Sequence, residues 1–231
     1  NVLANVANKS LRQGYADTKR SFIPFCREVT LPDFKQVQRT ALSNAPSMKL
    51  VVEGGEYEYG SFTDGAEVYR LFTYGRLVGI TRETIINDDM DAFTRIPGKM
   101  AATSARLENR MVYDILLGNP VMADGVALFH ATHGNLINNL INVAGMAALR
   151  KAMRIQTDNS GEDALNYELK YLIVPAALEA AALQLKSSIT PADTAKVNPY
   201  SNTFEIITEA YLDGTDAVSY YGAADPAVAD T

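Results

Sequence analysis

The hydrophobic pattern of the chain is set by one long strand with large side chains on both of its faces and by one long helical stripe. From Glu67 to Thr81 (EVYRLFTYGRLVGIT), Val68, Phe72, Val78 and Ile80 fall on one alternation and Tyr69, Leu71 and Leu77 on the other, with Arg70, Tyr74 and Arg76 interrupting the first. This predicts a strand. Asp33–Leu42 (DFKQVQRTAL) predicts a more polar partner for it. Between them, 43–66 holds Pro46, Gly54-Gly55, Gly60 and Asp64-Gly65, with Tyr57 and Tyr59 among polar residues, and reads as a long loop with a flexible tip. A hairpin buries only one face against its own body. The second apolar face therefore points either to a strand sandwiched within one domain or to an arm covered by another subunit, and the length of the element favours the arm.

Thr94 fits the N-cap of a helix running to Leu117, with Pro97 in its first turn and Gly118-Asn119-Pro120 as its stop. Its stripe is Ile96, Met100, Leu107, Met111 and Ile115, and at 1.5 Å per residue it is about 35 Å long, a spine for the domain. Before it, RETIINDDMDAF reads as a short helix or turn in which Asp88, Asp89 and Asp91 favour a helix start. Residues 1–20 hold Leu3, Val6 and Leu11 too sparsely for a core element, so a short helix or a mobile arm is expected. The second half alternates: a helix from Met146 to Gln156, a strand Tyr171–Val174, a helix from Ala176 to Ser187, a strand Phe204–Thr208, a turn at Asp213-Gly214 and a strand Val218–Tyr221. A mixed α/β or α+β architecture follows.

Composition narrows the function more by exclusion than by indication. Hydrophobic residues make up 47%, enough for a real core in 231 residues, and the net charge is −6 at pH 7. Without a basic excess, sequence-specific nucleic-acid reading is not expected. No apolar run has the length of a membrane span, and no signal-peptide pattern opens the sequence. The lone Cys26 rules out an internal disulfide framework or a CxxC metal site, and in FIPFC it reads as an inert buried thiol rather than a nucleophile. His130 and His133 (FHATHGN) form an HxxH pair without HExxH or a clustered acid to complete a metal site, so a loop with backbone-bonded histidines is favoured. There is no GxSxG elbow, GGEYEYG lacks the Lys-Ser/Thr of a phosphate loop, and the acids at 88–91 lack EF-hand spacing. No catalytic, metal or cofactor-binding residue is therefore assigned.

GEYEYGSFTDGAEVYRLFTYGRLVGITRETIINDDMDAF, then ARLENRMVYDILLGNPVMADGVALFHATHGN, LKYLIVPAALEAAALQL, VNPY and YGAADP together give a strong resemblance over nearly the whole chain. The chain resembles the Mu-like major head subunits of tailed phages and prophages, including those fused to a prohead protease. That resemblance implies an α+β, HK97-like capsid fold. Residues 1–30 would be the N-terminal arm, 31–81 the extended loop (E-loop) and 82–145 the peripheral domain, with its spine helix over 94–117. Residues 146–213 would be mainly the axial domain, and 214–231 a return to the peripheral domain, truncated relative to family members that run on beyond the ADP motif. Some capsids of this fold crosslink a loop lysine to an asparagine; Lys49 is the only lysine between the two strands, and no motif supports that chemistry.

The expected function is that of a major capsid subunit, not an enzyme, assembling with itself into pentamers and hexamers of an icosahedral shell around DNA. Each E-loop would lie on a neighbour through Val68, Phe72 and Tyr74 on one face and Tyr69 and Leu71 on the other. Scaffold, prohead protease and portal are the expected assembly partners, with no membrane partner and no cofactor. The virion is the expected location, after assembly in the host cytoplasm. The alternatives are an encapsulin-like compartment shell, distinguished by protein cargo in place of DNA; a hydrolase or metalloenzyme using His130 and His133 or Cys26; and a ligand- or glycan-binding module using the loop tyrosines.

Overall fold

The structure is a computed structural model that describes residues 2–42, 50–52, 54, 56, 59, 64–79, 81, 83, 92–157, 161, 164–187 and 200–229. Lys49, the acids at 88–91, and Tyr57, Gly55 and Gly60 of the loop tip lie outside the described residues. The chain is α+β and divides into two compact units, Asn1–Ile23 with Phe72–Leu116, and Pro24–Leu71 with Leu117–Thr231.

The first unit is a helix pair, α1 (Val2–Asp17) and α2 (Ala92–Gly118). Glycine lets the two backbones meet: a Cβ placed on Gly14 would stand 2.5 Å from the carbonyl oxygen of Gly98, which only a hydrogen at that position avoids. The face of α2 that begins at Gly98 continues at helical spacing through Ala101 and Ala105 to Tyr113, all three buried. Polar contacts lock the pair beyond the glycines. Tyr15 donates to both Glu108 carboxylate oxygens at 2.7 and 2.8 Å, and Arg20 donates to the Tyr15 hydroxyl at 2.8 Å while stacking 4.5 Å over its ring. Ser21 donates its N–H and its hydroxyl to Asn109 Oδ1, and its Oγ lies 2.9 Å from the Tyr113 hydroxyl.

The N-terminal segment, expected as a short helix or a mobile arm, is a 16-residue helix held by close glycine approach and hydrogen bonds. Two expectations change in this unit. The stripe Ile96, Met100, Leu107, Met111 and Ile115 is not the buried face of α2: Met111 and Ile115 are exposed, and burial follows the small residues that allow close approach. Helix α2 also starts at Ala92, so Thr94 sits inside the first turn rather than at the N-cap, and Pro97 is at the sixth position, where its missing N–H removes one helical bond. The stop falls as expected at Gly118, where Asn119 turns to φ 43° and Pro120 cannot continue the helix.

The second unit holds a hairpin and a three-stranded sheet. In the hairpin, β1 (Val37–Leu42) pairs antiparallel with β2 (Asp64–Tyr69), with Val37 opposite Tyr69 and Leu42 opposite Asp64. Strand β1 begins later than Asp33 because the Asp33 carboxylate accepts from the Lys35 N–H and bends the chain there. Asp64-Gly65, expected in the loop, is part of β2, and the ladder ends at Tyr69 rather than Thr81. Residues 70–79 continue outside the ladder.

The sheet has the order β4-β3-β5, with β3 (Tyr171–Val174) parallel to β4 (Glu205–Thr208) and antiparallel to β5 (Tyr221–Ala223). All four residues of β3 are buried, as a central strand covered on both faces requires. Helix α3 (Val143–Arg154) and helix α4 (Glu179–Lys186) close one face: Met146 and Leu149 meet Ala182, Leu185, Leu172 and Val174 in one core cluster. Asn142 caps α3 by accepting from the Gly145 N–H, so this helix starts before Met146. A 3₁₀ turn, Ala176–Leu178, precedes α4, and the Asp213 carboxylate at the end of the short helix α5 (Ala210–Asp213) accepts from the Ala176 and Ala177 N–H groups. Strand β5 starts at Tyr221 rather than Val218 because the Asp216 carboxylate accepts from both Val218 and Ser219 and holds that stretch in a turn.

Candidate assembly surface

The residues expected to meet a neighbouring subunit lie on the hairpin and the segment that leaves it. Val68 and Tyr69 end β2, while Leu71, Phe72 and Tyr74 follow beyond the ladder. Large apolar side chains here are exposed on both alternations: Val68 at 48%, Phe72 at 57% and Tyr74 at 59% on one, Leu71 at 41% and Leu77 at 100% on the other, and Tyr69 is half-buried. Removing such surface from water is favourable by about 25 cal/mol per Å², so a few hundred Å² covered by a partner contributes several kcal/mol before ordering costs.

The base of the hairpin is fixed by a loop that sequence reading did not connect to it. Glu67 Oε1 in β2 accepts from the Ala123 N–H at 2.9 Å. Ala123 sits in a tight turn: Val121 bridges to Ala127, Met122 donates to the Val126 carbonyl at 2.8 Å, and Gly125 supplies φ 82°. Asn119 closes the turn from outside, accepting from Phe129 N–H at 2.7 Å and donating to its carbonyl. The Phe129 ring in turn lies 5.3 Å from the ring of Tyr221 in β5. The loop thus joins the hairpin base to the sheet, and the local signals were Asn119, Asp124-Gly125 and Asn135, all turn residues whose tertiary partners spacing does not give.

Both histidines are engaged within this loop. His130 caps the 3₁₀ turn Ala131–His133, its Nδ1 accepting from the Thr132 N–H. His133 Nε2 stands 2.7 Å from Asp124 Oδ2, and its Nδ1 3.1 Å from the Leu128 carbonyl oxygen. The hydrogen bond to Asp124 and that to Leu128 hold the His133 pKa above its ordinary value, and the bond from His133 holds the Asp124 carboxyl below its own. Among the described residues no group of three or more His, Cys, Asp or Glu is placed to hold a metal ion. Cys26 is half-buried, and that burial pushes its thiol pKa up, against the direction a nucleophile needs. A depression of about 510 Å³ at the end of α4 is lined, among the described residues, by Leu183, Lys186, Ser187 and Asn202, and the Ser187 hydroxyl donates to the Gln184 carbonyl.

Two strings that carried the resemblance meet in the fold: Lys170, in LKYLIV, pairs with Asp225 of YGAADP, and the Lys170 N–H donates to the Ala223 carbonyl. Among the described residues no helix is long and apolar enough to cross a membrane. A comparison with family models matches residues 65–231 to the family described as phage capsid protein. No curated protein and no solved structure matches the chain.

Proposed function

Since this chain belongs to the phage capsid protein family, whose members build the shell of the virion, we propose that it is a Mu-like major head subunit of HK97-like design. In this reading, copies group into pentamers and hexamers and close an icosahedral shell around DNA in the host cytoplasm, with scaffold, prohead protease and portal as assembly partners. Residues 31–81 act as the extended loop and 1–30 as the N-terminal arm, while 94–117 is the spine within the peripheral domain, 82–145. Residues 146–213 are mainly axial, and 214–231 return to the peripheral domain. The chemistry is association, not bond-making.

The observation that carries the reading is the exposure of large apolar side chains on both alternations of the hairpin's second strand and its extension. Val68, Tyr69, Leu71, Phe72 and Tyr74 are the contact residues, laid on a neighbouring copy, and closed symmetry repeats each modest contact around the shell. A net charge of −6 suits a container that encloses DNA without gripping it. Replacing 43–63 by an Asn-Gly turn, which keeps β1 and β2 paired, tests the arm's outer part: a folded subunit that assembles poorly is expected, and normal shells from this variant would show that the part of the arm beyond the two strands makes no needed contact. Shells purified with protein cargo instead of DNA would favour the encapsulin-like alternative.

A further inference from the structure

Both ring nitrogens of His133 face acceptors, Nε2 the Asp124 carboxylate at 2.7 Å and Nδ1 the Leu128 carbonyl at 3.1 Å. A neutral imidazole carries one N–H and satisfies one of these, leaving a lone pair directed at the other oxygen; the imidazolium donates to both. The ring closes the loop between residues next to the hairpin anchor, because Asp124 follows Ala123, whose N–H holds Glu67 of β2. The other face of the loop is held without ionisable groups, by the Asn135 amide donating to the same Leu128 carbonyl and by Gln156, beyond α3, donating to the His133 carbonyl. Asp124 is the charged group acting on the ring, and His130 is turned to Thr132.

We infer that residues 119–135 form a proton-held latch: with His133 doubly protonated the loop is closed and Ala123 stays on Glu67 at the hairpin base, and loss of one ring proton frees that base. The latch belongs to the subunit alone; its consequence for assembly, a hairpin steadier at lower pH, rests on reading the hairpin as the intersubunit arm. The sign follows from the two groups. A histidine raised above 6.5 contributes fully below 6.5 and loses its contribution as pH rises through the raised value. A carboxylate lowered below 3.8 contributes above 3.8 and loses its contribution as pH falls through the lowered value.

The test is NMR on the isolated subunit, following the His133 ring and the solvent exchange of the Ala123 amide, corrected for the intrinsic pH dependence, from pH 5 to 9. The expected result is a ring titrating above 6.5, with Ala123 protection falling about tenfold through the same titration, as loss of one charge-assisted hydrogen bond would give. Asp124→Asn should return the ring towards its ordinary value, and His133→Gln should give low, pH-independent protection. A ring titrating at or below 6.5, or Ala123 protection unchanged through the ring's titration, would overturn the latch. Neither readout depends on whether the subunits assemble, so failure of the arm reading and failure of the latch are separately visible.

Discussion

Strand β3 and the stretch from β2 to Val78 carry the same kind of pattern and meet opposite fates. Tyr171, Leu172, Ile173 and Val174 are all less than 10% exposed (7, 0, 2 and 0%), whereas Val68, Leu71, Phe72, Tyr74, Leu77 and Val78 all exceed 40%. Apolar side chains on both faces demand cover on both faces. For β3 the chain supplies it: α3 and α4 cover the Leu172 and Val174 side, Tyr171 and Ile173 on the other side are buried as well, and β4 and β5 pair with its two edges. For the hairpin's outgoing strand no described residues do, and under the proposed function another copy supplies the cover. Pattern alone fixes how much surface must be covered; which chain covers it is a tertiary and quaternary fact.

The contrast breaks most visibly by truncation of the buried strand. Leu172→Ala should destabilise the subunit by about 2–5 kcal/mol, read by thermal or denaturant unfolding. Leu71→Asp with Phe72→Asp should change unfolding free energy by no more than about 0.5 kcal/mol per site yet abolish assembly; a large loss of stability there would mean that the subunit itself covers those side chains. In stability, the next largest loss after Leu172→Ala is that of Gly14→Ala, which places a methyl against the Gly98 carbonyl oxygen and should cost about 1–3 kcal/mol by separating α1 from α2. Tyr113→Phe, which removes the hydroxyl beside Ser21, should cost about 0.5–1.5 kcal/mol. The smallest effect is electrostatic: Asp124→Asn should cause a small loss of stability, confined to the pH range below the raised His133 value where the pair contributes and small because the pair is exposed, and should flatten the fall in stability that His133 supplies as pH rises from neutral to alkaline.

Sequence reading served best where a local rule and a tertiary one agree. YLIV is short and made of aromatic, aliphatic and β-branched residues that favour strands, and the strand it forms has the expected bounds. The hairpin was legible as an element, but its ends were not, because an aspartate at 33 bends the chain before β1 and the ladder stops where the partner strand does. Helix α2 was legible and its buried side was not: Gly98, Ala101 and Ala105 are small residues that hydrophobic periodicity ranks below Ile96 or Met111, yet close backbone approach selects them. The loop carrying His130 and His133 was rightly read as backbone-bonded, whereas its grip on Glu67 depends on a contact across 56 positions that no spacing rule encodes.

Sedimentation velocity with negative-stain electron microscopy, on the wild-type chain and on the Leu71→Asp/Phe72→Asp variant, tests the central claim most directly. The account predicts closed shells, rings or tubes from the wild type and a folded monomer, with an unchanged circular dichroism spectrum, from the variant. A wild-type chain that stays monomeric at high concentration, or a variant that assembles as the wild type does, would contradict it.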